Sequence, residues 1–425
     1  TMNSNLQFVL QPGGVLTGQM RVPGDKSISH RSIMLGALAE GVTEVSGFLE
    51  GEDSLNTLRC FRRMGVKIED PETLGAGRVR IHGVGLHGLK KPDGTLWLGN
   101  SGTSMRLMSG IIAGQDFDAV MEGDESLSRR PMRRVTEPLA LMGAQIDTQD
   151  GGRPPLRVHG GSALKGINYV MPMASAQVKS CVLLAGLYAS GETCVTEPAP
   201  TRDHTERMLQ GFGYEVRRVA GEGGVSTVCL SGGGSLKSTT IDVPADISSA
   251  AFFLVAASIA PGSDLVLEHV GINPTRTGII EILRLMGAHI EVQNERTVGG
   301  EPVADLRVRS AELKGIAIPE ALVPLAIDEF PVLFIAAACA QGETILTGAE
   351  ELRVKESDRI QVMADGLQAL GVDAQPTADG MVIRGGALHG GEVTTHGDHR
   401  IGMSFAVAAL RASGEIRIHD CENVN

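Results

Sequence analysis

Apolar residues recur along this chain in two rhythms. Leu55, Leu58, Phe61 and Met64, like Ile360, Met363, Leu367 and Leu370, stand three and four apart, the spacing that gives an α-helix one apolar face. Val66 and Ile68, Ala144 and Ile146, Tyr214 and Val216, and Ile290 and Val292 alternate with polar neighbours, the period of a strand with one covered face. Between helix and strand stands a glycine, at Gly65, Gly143, Gly213, Gly287 and Gly371, where the helix is expected to stop. Ala-rich helical stretches run to a further set of glycines, Gly41, Gly114, Gly191, Gly262, Gly342 and Gly414, each ahead of a short strand. That set recurs roughly every 75 residues, too long for a solenoid rung of about 20 to 50, so the spacing predicts six small α/β layers.

VPGDKSISHRSIMLGALAEG, Val22 to Gly41, aligns without gaps on VPADISSAAFFLVAASIAPG, Val243 to Gly262, which points to a half-chain duplication. Both copies open with Val-Pro, and proline keeps the residue before it extended, so the chain is expected to cross between two domains at both places. One domain would hold residues 23–243. The other, discontinuous, would hold 1–22 plus 244–425. Two domains also suit the length, since 425 residues exceed what one core usually spans. The sixth layer stops at Asn425 without the second helix and strand of its siblings, so some residues are expected to be missing there.

Hydrophobic residues make up 42% of the chain and aromatics only 3%, so the core must be assembled from Ala, Val, Leu, Ile and Met, which suits small, closely packed elements. The longest apolar stretches, around Ala250 to Ala260 and Val332 to Ala340, fall short of the roughly 20 residues of a membrane span. The opening residues do not read as a secretory signal. Six cysteines lie scattered without C-x-x-C spacing, which indicates neither a zinc site nor a disulfide framework and fits a reducing cytoplasm. A formal charge of −12 works against nonspecific nucleic-acid binding, whose affinity comes from clustered Lys and Arg, so any anion site must be local.

The duplicated copies differ in just such local charges. Ile247 and Phe252 of the second copy stand opposite Lys26 and Arg31 of the first, as expected of a helix that only packs. A third relative, GDHRIGMSFAVAALRASG, places Asp398 ahead of Gly414 as Asp25 precedes Gly41 and Asp246 precedes Gly262, and it is charged too, with His399 and Arg400. Where such repeats open helices, unpaired N–H groups and the helix dipole favour anions, and an added Lys or Arg strengthens a phosphate or carboxylate site. GNSGTSMR (Gly99 to Arg106) adds close backbone approach, hydroxyls and an arginine, and MASAQ (Met173 to Gln177) adds neutral hydrogen-bonding groups. The Asp and Ser residues of these openings serve equally as N-caps.

Charged groups cluster again in ESLSRRP (Glu125 to Pro131), TRDHTE (Thr201 to Glu206) and LRVKESDR (Leu352 to Arg359). In the last, Lys355 and Arg359 are expected to share a helix face with Glu356 between them in sequence, which fits an anion clamp and a solvated helix start alike. Asp328, at the mouth of the apolar helix in AIDEFPVLFIAAACA, fits a cap or a general base.

In this order GDKSISHR, LGNSGTSMRL, SLSRRPM, SAQVKS, TRDHTE, LRVKESDR and GDHR resemble the EPSP synthase (3-phosphoshikimate 1-carboxyvinyltransferase) family of enolpyruvyl transferases over essentially the whole chain. The resemblance implies a two-domain inside-out α/β barrel, each domain of three βαβαββ repeats, joined by two crossing segments, with residues 23–243 as the 3-phosphoshikimate side. It implies transfer of the carboxyvinyl group of phosphoenolpyruvate to the 5-hydroxyl of 3-phosphoshikimate, with release of phosphate through a tetrahedral intermediate. A cytoplasmic monomer without cofactor or metal follows from it, with no nucleic-acid or membrane partner and with glyphosate as a candidate inhibitor.

Carried over motif by motif, the resemblance puts Lys26 near both substrates and Ser27, Arg31, Ser175, Ala176, Gln177 and Arg202 on 3-phosphoshikimate, with Gln177 reaching phosphoenolpyruvate as well. Gly102 and Arg130 match phosphoenolpyruvate positions, Arg359 and Arg400 match its clamp, and Lys355 matches a shikimate-side contact. Asp328 matches the group that accepts the 5-hydroxyl proton, also touching 3-phosphoshikimate, and Glu356 the acid that protonates the methylene carbon, with Lys26 assisting. SAQ and TRDHTE lean towards the branch with glyphosate-tolerant members whereas Gly102 keeps the small residue of sensitive ones, so sensitivity stays open. The lysine that some relatives carry near the C-terminus would fall close to Asn425, where there is none. The sister transferase that acts on UDP-N-acetylglucosamine carries a loop cysteine, absent from Glu122 to Pro131, and a silent scaffold of this fold would not need Asp328, Glu356 and Lys26 together.

Overall fold

The computed structural model describes residues 7–421. Its chain divides into two compact units, one of Gly24–Pro244 with Thr297–Glu301, the other of residues 7–23, Ala245–Arg296 and 302–421. Among the described residues there are six sheets, three in each unit, and no helix is long and apolar enough to cross a membrane.

The repeat is plainest in the middle of the first unit. Strand Leu96–Trp97 leads into helix Gly102–Ala113 and returns as the parallel strand Ala119–Glu122; helix Arg133–Leu141 then leads into Gln145–Gln149 and Arg153–His159, which extend the same sheet antiparallel. This is a βαβαββ layer. Asn168–Val170 to Ser226–Ser231 repeats it around helices Ala176–Gly186 and His204–Gly211. The layer built on helices Lys26–Leu38 and Glu52–Arg63 takes its first strand from the far end of the unit, where Leu236–Lys237 and Thr240–Asp242 pair parallel with Ala39–Ser46. The other unit follows the same plan around helices Ile247–Ile259, Phe330–Cys339 and His399–Ala408. There Thr17–Met20 supplies the parallel strand beside Asp264–Gly271, and Gln7–Leu10 pairs antiparallel with Ile416–His419.

Two kinds of helix explain the layers. The first helix of each layer is buried on nearly every side, as Lys26–Leu38 is from Ile28 to Leu38, and sits inside its unit with the sheets around it, the inside-out arrangement. Small residues let these inner helices touch: a Cβ at Gly110 would lie 2.2 Å from the Cys181 carbonyl oxygen, so only glycine fits where Gly102–Ala113 meets Ala176–Gly186. The second helices are one-faced, with Leu58 and Phe61 buried and Arg62 and Arg63 exposed on Glu52–Arg63. They stop as the glycines predict. Gly65 takes φ +89°, and the Val66 N–H reaches back to the Phe61 carbonyl. The same left-handed glycine and backward bond recur at Gly143, Gly213, Gly287 and Gly371.

One expectation fails. Cys194 and Cys229, which no spacing in the sequence pairs, face each other in antiparallel strands with Cα atoms 4.1 Å apart and are joined by a disulfide. Strand register made them neighbours, and register is invisible to a count of intervening residues.

Candidate active site

In the unit of Gly24–Pro244, the candidate ligands stand at the N-terminal ends of the three inner helices. Asp25 caps Lys26–Leu38 by accepting the Ile28 N–H, Ser101 caps Gly102–Ala113, and Ser175 caps Ala176–Gly186 by accepting the Val178 N–H. Lys26, exposed, pairs with Asp53 at 2.5 Å. Arg31 lies deeper than a surface ligand would. It donates Nε–H to Thr205 at 2.8 Å, Nη1–H to the Ser27 carbonyl at 3.0 Å and Nη2–H to Ser180 at 3.3 Å, and burial lowers its pKa to about 10. His30 beside it is held neutral, its pKa lowered to about 3 by burial and then by the charges of Lys26 and Arg31, with Nδ1 3.0 Å from Thr57 Oγ1 and 3.2 Å from Ser104 Oγ. Arg202, half-buried, stands in the loop ahead of helix His204–Gly211.

The second feature of this unit is a group of arginines. A Cβ built on Gly102 would lie 2.8 Å from Arg106 Nη1 and 3.0 Å from Arg130 Nη1, so both guanidiniums face the same bare backbone. Arg106 donates to Gln177 Oε1 at 2.7 Å, Gln177 donates to Thr103 Oγ1 at 2.8 Å, and Arg130 donates to Asn100 at 3.2 Å. Burial lowers the Arg106 pKa, and the charges of Arg130 and Arg134 lower it further. Among the described residues none of these three arginines has a carboxylate partner, unlike Arg80, Arg218 or Arg307. Cations crowded together without a counterion are an anion site in waiting. Arg106 was visible in GNSGTSMR but carried no assigned role; its link to Gln177 spans 71 residues and no local pattern announces it.

In the other unit Asp328 stands on the turn Pro324–Glu329 that enters helix Phe330–Cys339. Its carboxylate lies 3.7 Å from Lys355 Nζ and 3.6 Å from Arg359 Nη1, and its carbonyl accepts from Arg400 at 3.4 Å. The expected helix face shared by Lys355 and Arg359 does not form. Residues Glu350–Val354 make a short 3₁₀ turn, Lys355 is extended, and the helix begins only at Arg359, capped by Asp358. Asp358 competes for the N–H of Gln361 and so starts the helix after the charged stretch instead of within it. The two cations still meet, around Asp328.

Arg359 is fixed from behind by Asp398, at 2.9 Å with side chains 3% and 0% exposed. Burial pushes the Asp398 pKa up, but the Arg359 guanidinium, the Ser357 hydroxyl and helix N–H groups together hold it below the usual carboxylate range. Asp398, which the sequence offered as the head of a helix, is therefore also the residue that orients Arg359. Glu356 and His399 are partners as well, Oε2 to Nδ1 at 3.1 Å, both half-exposed. Glu356, Asp398 and His399 each offer a ligand atom within 4.8 Å of one another, but a cation there would have to displace Arg359 from Asp398. The position near Asn425 lies outside the described residues.

A profile of the family described as EPSP synthase (3-phosphoshikimate 1-carboxyvinyltransferase) matches residues 10–425. The 3-phosphoshikimate 1-carboxyvinyltransferase of Methylococcus capsulatus is 69% identical over 422 residues, covering 99% of this chain and 95% of the relative. That of Hydrogenovibrio crunogenus is 67% identical over 425 residues, covering 100% and 95%. The fold superposes on the EPSP synthase of Acinetobacter baumannii with a TM-score of 0.94 at 62% identity, covering 98% of this chain and 95% of that one.

Proposed function

The chain belongs to the EPSP synthase (3-phosphoshikimate 1-carboxyvinyltransferase) family, and from that premise we propose that it transfers the carboxyvinyl group of phosphoenolpyruvate to the 5-hydroxyl of 3-phosphoshikimate. The products are 5-enolpyruvylshikimate 3-phosphate and phosphate, a step of the shikimate pathway towards chorismate and the aromatic amino acids. The observation that supports this best is the pair Arg106 and Arg130, cations left without a carboxylate beside the bare backbone of Gly102.

In this reading Lys26, Ser27, Arg31, Ser175, Ala176, Gln177 and Arg202 serve 3-phosphoshikimate, and Lys355 and Asp328 join them. Lys26, Gly102, Arg130, Gln177, Arg359 and Arg400 serve phosphoenolpyruvate. Arg31, with three donations already committed inside the protein, still has two N–H bonds to offer. Asp328 takes the proton of the 5-hydroxyl, whose oxygen bonds to C2 of phosphoenolpyruvate as Glu356 gives a proton to the methylene carbon C3. The tetrahedral adduct then returns a proton from C3 to the Glu356 carboxylate as the C2–O bond to phosphate breaks, and the arginines stabilise the departing charge. Side chains suffice for every proton and bond change, so the proposal invokes no metal and no cofactor. The enzyme acts as a cytoplasmic monomer, and glyphosate is a candidate competitor for phosphoenolpyruvate.

The decisive experiment is phosphate release from phosphoenolpyruvate with and without 3-phosphoshikimate. Release that needs both substrates is expected; release from phosphoenolpyruvate alone, or none with both, would sink the reading. A finer test is Gly102→Ala. The new methyl would press on the ends of two flexible arginines and not on backbone, so the fold should hold. The KM for phosphoenolpyruvate is expected to rise about tenfold or more with the KM for 3-phosphoshikimate within about twofold, and glyphosate should inhibit more weakly. Unchanged steady-state constants would remove Arg106 and Arg130 from the phosphoenolpyruvate subsite.

A further inference from the structure

Lys179 is a lysine with no access to solvent, set among buried Val178, Cys181 and Val182 in helix Ala176–Gly186. Its Nζ lies 3.0 Å from Glu197 Oε2 and 3.0 Å from Glu206 Oε2, carboxylates whose side chains are 1% and 6% exposed. Arg218 closes the set, 3.4 Å from Glu197 Oε1 and 2.6 Å from Glu206 Oε2, so two cations face two anions. Burial pushes the Glu206 pKa up against the pull of Lys179. Glu197, buried too but receiving Lys179, Thr201 and Ser226, is held below its usual range. Arg218 is exposed, but burying the other three charges is seldom more stabilising than packing apolar side chains of the same volume, so fold stability alone does not account for the quartet.

Its neighbours do. Glu197 ends strand Glu192–Glu197 and accepts the Thr201 hydroxyl at 2.7 Å, while Glu206 lies in the first turn of helix His204–Gly211. The ion pairs thus hold both ends of the loop that carries Arg202. One residue on from Lys179 and one before Glu206, the hydroxyls of Ser180 and Thr205 meet at 2.7 Å, and both accept N–H bonds from Arg31. The two helix openings and Arg31 are therefore held in a single register by buried polar contacts.

Building on the function proposed above, we propose that Lys179 is a positioning residue for 3-phosphoshikimate: through Glu206 and Glu197 it sets the orientation of Arg31 and of the Thr201–Glu206 segment that carries Arg202. It touches no substrate itself.

The test is the double variant Lys179→Met with Glu206→Leu, which removes one charge of each sign and leaves Arg218 on Glu197. In steady-state phosphate release its KM for 3-phosphoshikimate is expected to rise about ten- to a hundredfold, with the KM for phosphoenolpyruvate within about twofold of the parent. Glu206→Gln, which keeps an oxygen facing Lys179, is expected to stay near parent values. An unchanged KM for 3-phosphoshikimate in the double variant, or an equal rise for both substrates, overturns the inference, because the quartet would then only hold the fold. Should the double variant melt below the assay temperature, Thr205→Val makes the same test by cutting the hydroxyl link while leaving all four charges, and an unchanged KM there overturns the inference too. A parent enzyme that releases no phosphate would instead overturn the functional reading, so the two failures are distinct.

Discussion

Asp328→Asn is expected to lower kcat by about 10²- to 10⁴-fold, the usual worth of a positioned general base, with both KM values changed far less. The side chain is half-buried on the turn that opens helix Phe330–Cys339, and Lys355 and Arg359 stand 3.7 and 3.6 Å from its carboxylate. At those separations these two cations act on the carboxylate as charges more than as hydrogen-bond donors. The amide of Asn keeps the size and can accept a hydrogen bond, but it cannot take that proton. Arg359 should keep its place in the variant because Asp398 holds it at 2.9 Å independently of Asp328, so the loss can be ascribed to the base. Steady-state kinetics together with a melting curve make the measurement. A fall in kcat of less than about tenfold in a folded variant would mean that another group takes the proton.

Much of the fold was legible because local rules decide it. The glycines at Gly65, Gly143, Gly213, Gly287 and Gly371 mark helix ends whose closing bonds lie within six residues, and Asp25, Asp246 and Asp398 cap the helices they precede. The site was legible as a set of motifs and much less so as a set of contacts. Arg31 reaches Thr205 and Ser180 across 174 and 149 positions, and Arg359 reaches Asp398 across 39. Such pairs exist only once the layers have stacked, so nothing local in SAQVKS singles out Lys179. Where local chemistry competes with itself the reading of the sequence erred: in LRVKESDR the acceptor Asp358 captures a helix N–H and moves the start of the helix past Lys355. The disulfide of Cys194 with Cys229 was hidden for the same reason as the long-range pairs.

The chemistry at carbon is the step that separates this reaction from ordinary acid–base work, and Glu356→Gln is expected to abolish most of it. Turnover should fall by about 10²- to 10⁴-fold. In deuterium oxide, incorporation of label into the C3 methylene of phosphoenolpyruvate should fall by a similar factor, because each exchange needs a proton delivered to that carbon and a proton removed again. In the proposed mechanism Glu356 must be recharged after each proton it gives. Its Oε2 lies 3.1 Å from His399 Nδ1, and both side chains are half-exposed, so a proton spent at carbon can be replaced from the imidazole or from solvent. Gln in this place keeps the hydrogen bond to His399 and the shape of the turn but has no acidic proton to give. Binding of 3-phosphoshikimate should therefore survive the change. Exchange monitored by NMR separates the two proposed roles, since the Asp328 variant is expected to lose the attack at C2 and the Glu356 variant protonation at C3. If Glu356→Gln exchanged deuterium as fast as the parent, the carbon acid would be another group, with Lys26 the candidate from the family resemblance and His399 the candidate from its contact with Glu356.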